Sequence, residues 1–316
     1  MDFDENLDLF IAHDFMSNEL ISEYKTIKDI LLKNLSNLNN IPDSPAAKIQ
    51  KIINFNKLAI VEAHLNNNNQ AIIYIKQILD VLKHHILYYN LGKFLVRVNG
   101  INSASQDAYL KSITLKNNFI EGLFELAIGY HCQNDFFNAK KYYIAVLNLK
   151  PNFLACLNNL GSIYDSENRY DLAKVYFEQA LFLDEHFPQA NYNLGRIYYN
   201  TGNNSKAIEF YDKALENYPE QDKVLINLGN VYFRLENFIK AVEYYEQALI
   251  VNPAAANAVL QIGHSYFSCQ NYEQALVFYE RVYFSNDTNE QVKSEVIPQL
   301  YFTYRQLCIW DKSESI

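Results

Sequence analysis

The chain has 316 residues, with 27 Lys or Arg against 36 Asp or Glu, so its formal net charge is −9. This acidic balance argues against a general affinity for nucleic acid or for an anionic membrane surface. Apolar residues make up 49% of the chain, which is enough for a large buried core, and only 9 Gly and 7 Pro interrupt it. So few chain breakers exclude an all-β protein with many turns, and the composition predicts an all-α fold.

The N-terminus and the thiols predict a soluble, cytoplasmic protein. The first residues, Met1-Asp2-Phe3-Asp4-Glu5, place acids where a secretory or organellar leader needs bases. No apolar run approaches the roughly 20 residues of a membrane-spanning helix, so we expect no membrane insertion. The cysteines contain no CxxC pair and predict reduced thiols, not a disulfide framework. They are Cys132, Cys156, Cys269 and Cys308.

The first third of the chain predicts helices outside a strict repeat. Residues 1–45 have helical apolar spacing, as at Leu7 and Phe10, and predict an N-terminal cap that ends at Pro42 and Pro45. Residues 46–119 then predict two degenerate helical hairpins.

These two hairpins differ in how well they match the units that follow them. The turn of the first is expected at Asn66 to Asn69. In the second, Gly92 and Tyr109 match the later units with a slip of one residue.

From residue 120 the chain repeats every 34 residues, and four columns of residue types share this period. The columns hold a tyrosine, a glycine, an alanine and a second aromatic residue: Tyr130, Tyr164, Tyr198, Tyr232, Tyr266; Gly161, Gly195, Gly229, Gly263; Ala139, Ala173, Ala207, Ala241, Ala275; Tyr143, Phe177, Tyr211, Tyr245, Tyr279. They predict five repeats, at 120–153, 154–187, 188–221, 222–255 and 256–287.

Each repeat predicts a hairpin of two helices. In the fourth, Leu228 and Tyr232 share one helical face, Ala241 and Tyr245 share another, and Leu235-Glu236-Asn237 forms the turn. The small residues let the two helices approach each other, and the aromatic columns fill the space between successive hairpins. Because one hairpin cannot bury its apolar face alone, the units are expected to stack into a right-handed α-solenoid.

Residues 288–316 predict a C-terminal capping helix. Val292, Val296, Leu300 and Tyr304 form one apolar stripe on it, and Trp310 is expected to seal the last hairpin.

The order of residue types within the period resembles the tetratricopeptide repeat family: Leu-Gly, then Tyr, then Ala, an aromatic, Ala and Pro. The resemblance implies that the first helix of each hairpin lines a concave face, and that this face binds a protein or peptide partner.

The segment Arg305-Gln306-Leu307-Cys308-Ile309-Trp310-Asp311 resembles the junction into the catalytic region of O-GlcNAc-transferase and SPINDLY-like glycosyltransferases. This second resemblance implies the substrate-recruiting repeat region of such an enzyme, with the catalytic domain absent from this chain.

The sequence predicts no catalytic site, cofactor or metal. It has no HExxH, no GxxxxGK[ST] and no GxGxxG motif. His131 and His264 fall on first helices and are expected to be partly exposed repeat residues without catalytic partners. Cys132 follows His131 directly, and neighbours in a helix point apart.

A row of side chains on the first helices is the candidate binding site. It precedes each Leu-Gly pair or its equivalent and consists of Glu125, Asn159, Asn193, Asn227 and Gln261. A primary amide both donates and accepts, so such a row can hold a peptide backbone of any sequence, and it resembles the asparagine ladder of O-GlcNAc-transferase-type enzymes. Asn at this position is also common in tetratricopeptide repeats of every function, so repeat consensus is the alternative.

Further candidates lie one turn along the same helices: Ser162, Arg196, Asn230 and His264. Arg196 with Arg234 could engage an acidic ligand group, and Tyr192 adds aromatic surface. We therefore predict a non-catalytic scaffold that holds an extended or helical partner segment, with the glycosyltransferase repeat region as the alternative and self-association possible.

Overall fold

The computed structural model describes residues 21–39, 45–217, 221–285 and 290–309. These residues form helices joined by short turns, with no strand among them, so the predicted all-α fold class is confirmed. The chain divides into two compact units at Cys156–Leu157, a point inside one helix.

The first unit is built from helices that each pack on the next helix in the chain. Its helices are α1 (Ile21–Asn39), α2 (Pro45–His64), α3 (Asn68–Leu79), α4 (His85–Asn99), α5 (Ser103–Leu115), α6 (Ile120–Cys132) and α7 (Phe136–Leu149), followed by the start of α8 (Leu154–Ser166). The α2–α3, α4–α5 and α6–α7 pairs are hairpins. Leu31 and Leu35 of α1 are buried against Leu58 and Val61 of α2.

The second unit continues from α8 with four hairpins and a last single helix. It contains α9 (Tyr170–Leu183), α10 (Pro188–Asn200), α11 (Asn204–Leu215), α12 (Gln221–Arg234), α13 (Phe238–Val251), α14 (Ala256–Ser268), α15 (Tyr272–Phe284) and α16 (Glu290–Gln306). Val296, Leu300 and Tyr304, from the predicted stripe of α16, are buried in one cluster with Tyr279 of α15.

Some predicted features lie outside the described residues: Leu7, Phe10, Pro42 and Trp310. One predicted turn is corrected. The α2–α3 turn spans residues 65–67, and Asn68 and Asn69 already belong to α3. The turn closes early because Asn66 takes the left-handed conformation, with φ 62°, and the Asn67 N–H then donates to the Glu62 carbonyl at 2.8 Å.

The repeat turns share one backbone conformation that the sequence analysis did not identify. The left-handed position recurs every 34 residues, at Asn134, Asn168, Gly202, Glu236 and Gln270. The next residue caps the second helix in most hairpins; for example, the Asn237 side chain accepts from the Lys240 N–H at 3.2 Å. This capping column was visible in the sequence as Asp135, Asn203, Asn237 and Asn271.

The glycine column receives an aromatic ring from the second helix of the same hairpin. A Cβ atom added to Gly195 would lie 2.6 Å from Cδ1 of Tyr211, and one on Gly161 would lie 2.7 Å from Cε1 of Phe177. Tyr211 also packs on Leu228 of the next hairpin. The second aromatic column therefore packs inside its own hairpin as well as between hairpins, whereas only the second contact was predicted.

The tyrosine column also packs within its own hairpin. Tyr198 stacks on Phe210 with ring centroids 5.4 Å apart and planes 7° apart, and the same stacking recurs at the other repeats. Such a pair contributes about 0.5–1.5 kcal/mol beyond the burial of its area. Lys174 and Lys206 lie over the Tyr198 ring at 5.3 and 5.0 Å.

We predict opposite effects for two glycine substitutions. Gly195→Ala places a methyl group against the fully buried ring of Tyr211, and overpacking of about 1–3 kcal/mol outweighs the helix-propensity gain of about 1 kcal/mol. Gly129→Ala is the control, because its new Cβ first meets the flexible end of Gln106, at 3.2 Å. Thermal unfolding should show a lower Tm for Gly195→Ala and an equal or higher Tm for Gly129→Ala; a lower Tm for both would contradict the ring contact.

Candidate functional site

The predicted row of amides lies in the second unit, except for Glu125. Asn159, Asn193, Asn227 and Gln261 are half-buried and occupy equivalent positions on α8, α10, α12 and α14. We call the surface formed by these residues and their neighbours on the same four helices the first-helix face.

Two amides of the row bond to the preceding first helix. The Asn193 Nδ2 donates to Asn158 Oδ1 at 3.0 Å, and the Asn227 Nδ2 donates to Tyr192 Oη at 3.2 Å. Each bond joins neighbouring hairpins. An asparagine at this position therefore stabilises the stacking of repeats even without a ligand, which gives a physical reason for the repeat consensus. Because a primary amide has a second N–H and a carbonyl oxygen, each side chain keeps capacity for a ligand.

In the first unit the side chains at the equivalent positions bond to other residues of the protein. Glu125 forms an ion pair with Lys93, at 3.0 Å between Nζ and Oε1. Upstream, the Asn90 Nδ2 donates to Asn56 Oδ1 at 3.0 Å, and both residues are fully buried. Sequence analysis missed this pair, although the two asparagines stand 34 residues apart.

The residues one turn further along contact the ring column or a neighbouring first helix. Asn230 Oδ1 accepts from Tyr245 Oη at 2.8 Å, and His264 Nδ1 lies 2.9 Å from Tyr279 Oη. Ser162 Oγ instead donates to the Asn158 carbonyl of its own helix, at 3.0 Å. The first-helix face is thus held in place by hydrogen bonds from the same rings that pack the hairpins.

Arg196 and Arg234 both have partners within the protein. Arg196 forms an ion pair with Asp165, whose side chain is 7% exposed. Burial raises the pKa of the Asp165 carboxyl, and Arg196 acts in the opposite direction. The Arg234 guanidinium lies 3.3 Å from the Tyr199 ring centroid and donates to the Tyr199 carbonyl. The structure therefore presents two oriented guanidinium groups, one of them partly neutralised.

Cys156 and His131 each contact an oxygen atom of Tyr143. Cys156 is buried and donates to the Tyr143 carbonyl at 3.3 Å, and burial raises the pKa of its thiol to about 12. His131 Nδ1 contacts Tyr143 Oη at 3.4 Å. The described part of the chain has no group of His, Cys, Asp or Glu side chains arranged to hold a metal ion. It also has no helix that is both long and apolar enough to cross a membrane.

Helical hairpins with this period, glycine–ring contact and order of packing are those of tetratricopeptide repeats. Models of the tetratricopeptide repeat match residues 154–187, 187–251 and 226–290, which together make up less than half of the chain. These residues are therefore tetratricopeptide repeats. A search of curated protein sequences found no match.

Several solved structures share the fold. A tetratricopeptide repeat protein from Parabacteroides merdae has a TM-score of 0.62 and 17% identity, over 80% of this chain and 99% of that one. Pseudomonas aeruginosa pilF has a TM-score of 0.56 and 20% identity, over 62% and 87%. The Cut9–Hcn1 hetero-tetramer of the APC/C has a TM-score of 0.60 and 18% identity, over 89% and 53%. At these identities the likeness shows the fold alone.

We predict that His264 makes stability pH-dependent. Burial lowers the pKa of His264 below its ordinary value of 6.5, with Glu295 of α16 acting in the opposite direction. The unfolded chain then binds a proton at a higher pH than the native protein, so the free energy of unfolding falls as the pH falls through 6.5. His264→Gln cannot titrate but can still accept from Tyr279, so it should lose less stability than the wild type between about pH 7.5 and about pH 5.5.

Thermal melts across this range measure the effect. His186→Gln is the matched control, because the His186 side chain is 69% exposed. A His264→Gln profile that parallels the wild type would show that His264 does not cause the loss.

Proposed function

We propose that the chain is a non-catalytic scaffold that binds an extended or helical segment of a protein partner on the first-helix face. The observation that carries this proposal is the row of half-buried amide side chains on four successive first helices, each at the same position of its repeat. Because each primary amide both donates and accepts, such a row can bond backbone groups along a bound segment.

The anchoring of these side chains supports binding. Asn193, Asn227 and Asn230 each have one hydrogen bond within the protein and remain partly exposed. Side chains held before binding lose less conformational entropy when a ligand arrives, which raises affinity for the same contacts. Tyr192 contributes a half-exposed ring of the type enriched at binding hot spots. Among proteins of this fold, the Cut9–Hcn1 structure is itself a protein complex.

A peptide selection tests the proposal. A random twelve-residue peptide library displayed on phage is selected against the wild type, and the recovered peptides are measured on Asn159→Ala/Asn193→Ala/Asn227→Ala. We expect at least about tenfold weaker binding, because each amide that bonds the ligand contributes about 0.5–1.5 kcal/mol.

The control is Glu209→Ala/Lys213→Ala, which removes an exposed ion pair of α11 and also leaves the net charge unchanged. Circular dichroism establishes that both variants are folded. Equal binding to all three proteins would place the peptide site away from the amide row.

Two earlier expectations stay predictions. The likeness of residues 305–311 to a glycosyltransferase junction depends on Trp310 and Asp311, which lie outside the described residues. Self-association is the second prediction, and sedimentation over a range of protein concentrations measures it.

A further inference from the structure

One hairpin of the second unit breaks the hydrogen-bonding pattern of the ring column. Tyr245 and Tyr279 each pair with a first-helix residue that can accept a hydrogen bond. In the α10–α11 hairpin the equivalent first-helix residue is Arg196, and a guanidinium can only donate. Tyr211 is fully buried, and its hydroxyl has no hydrogen-bond partner among the described residues.

Arg196 itself carries a second unsatisfied donor. Its Nη2 is engaged by Asp165, but its Nε is buried and has no partner in the described part of the chain. Two buried polar groups of one hairpin, one on each of its helices, are thus unpaired, although the Tyr211 oxygen can itself accept a hydrogen bond. Buried donors of this kind are rare in native proteins, and an incoming oxygen that accepts from them recovers the free energy lost on their burial.

The charge around these donors favours an anion. Arg196 stands where Asn230 and His264 contact the ring hydroxyl in the next two hairpins, and the Arg234 guanidinium lies 3.3 Å from the centroid of the Tyr199 ring, on the same helix as Arg196. Asp165 offsets one of these two positive charges and is itself 7% exposed. The cluster is therefore locally cationic on a chain whose net charge is −9.

We propose that Arg196, Tyr211 and Arg234 form a subsite for the carboxylate side chain of an acidic segment in the partner protein. The carboxylate accepts from Arg196 Nε and Tyr211 Oη, and Arg234 adds a charge beside it. Entry requires a rotamer change of Arg196, whose side chain is 41% exposed. The Asp165 carboxylate remains paired with Nη2 of the same guanidinium. This subsite rests on the proposed function and specifies what the first-helix face selects.

The first test needs no ligand and uses Tm to determine whether the Tyr211 hydroxyl lacks an acceptor. Tyr211→Phe removes a hydroxyl that has no partner, so its Tm should equal or exceed that of the wild type. Tyr245→Phe is the matched control, because its hydroxyl donates to Asn230, and its Tm should fall. Equal losses in the two variants would show that the Tyr211 hydroxyl already has an acceptor, which overturns the proposal.

The second test is the sequence content of the selected peptides. Peptides recovered on the wild type should be enriched in Asp and Glu at one position. Peptides selected on the Asp165→Asn/Arg196→Gln variant should not show this enrichment. The double change removes both charges of the buried pair, so it leaves no buried carboxylate unpaired and no change in net charge. An acidic peptide from the wild-type pool should bind this variant roughly tenfold more weakly, as expected for a lost charge-assisted hydrogen bond.

Tyr211→Phe and Arg234→Gln should each weaken binding of the same acidic peptide. A version of this peptide with Asn or Gln at the enriched position should bind the wild type and the variants with equal affinity. Wild-type peptides that bind the first-helix face without acidic enrichment would overturn the subsite and leave the proposed function standing. Recovery of no binding peptide would remove both.

Discussion

The contact between a second-helix ring and the glycine of its own first helix sets how closely the two helices approach in each hairpin of the second unit. At Gly195 there is no room for a Cβ atom, because the Tyr211 ring occupies that space. The ring then extends to the next hairpin, where it packs on Leu228. One side chain thus sets both the spacing within a hairpin and the spacing between hairpins. The same contact recurs in all four hairpins of the second unit, whose first helices form the first-helix face.

The same rings connect the core to the candidate site. The hydroxyl groups of Tyr245 and Tyr279 bond Asn230 and His264 of the first-helix face. A packing residue therefore orients a candidate binding residue, with no intervening loop. Arg196 interrupts this arrangement, because a guanidinium cannot accept the hydrogen bond that the Tyr211 hydroxyl would donate. Natural sequences are mostly consistent between local chemistry and fold, and departures from that consistency often mark functional positions.

Much of the fold could be predicted from residue types at a fixed period. Glycine, alanine and aromatic columns predicted helical hairpins, and the described residues form them. The capping asparagines and the Asn56–Asn90 pair obey the same period and could have been predicted. Stacking of Tyr198 on Phe210 within one hairpin could not, because the period is equally compatible with a contact to the next hairpin.

The sequence by itself determined the all-α class, the repeat and the residues that face one way on each first helix, because helical periodicity is a local property of the chain. Only the tertiary structure decided which of those residues already have partners. Arg196 and Asp165 are 31 positions apart, and Asn193 and Asn158 are 35 apart, so their pairing depends on how neighbouring hairpins stack. The tertiary structure also shows that the Tyr211 hydroxyl is buried without a hydrogen-bond partner among the described residues.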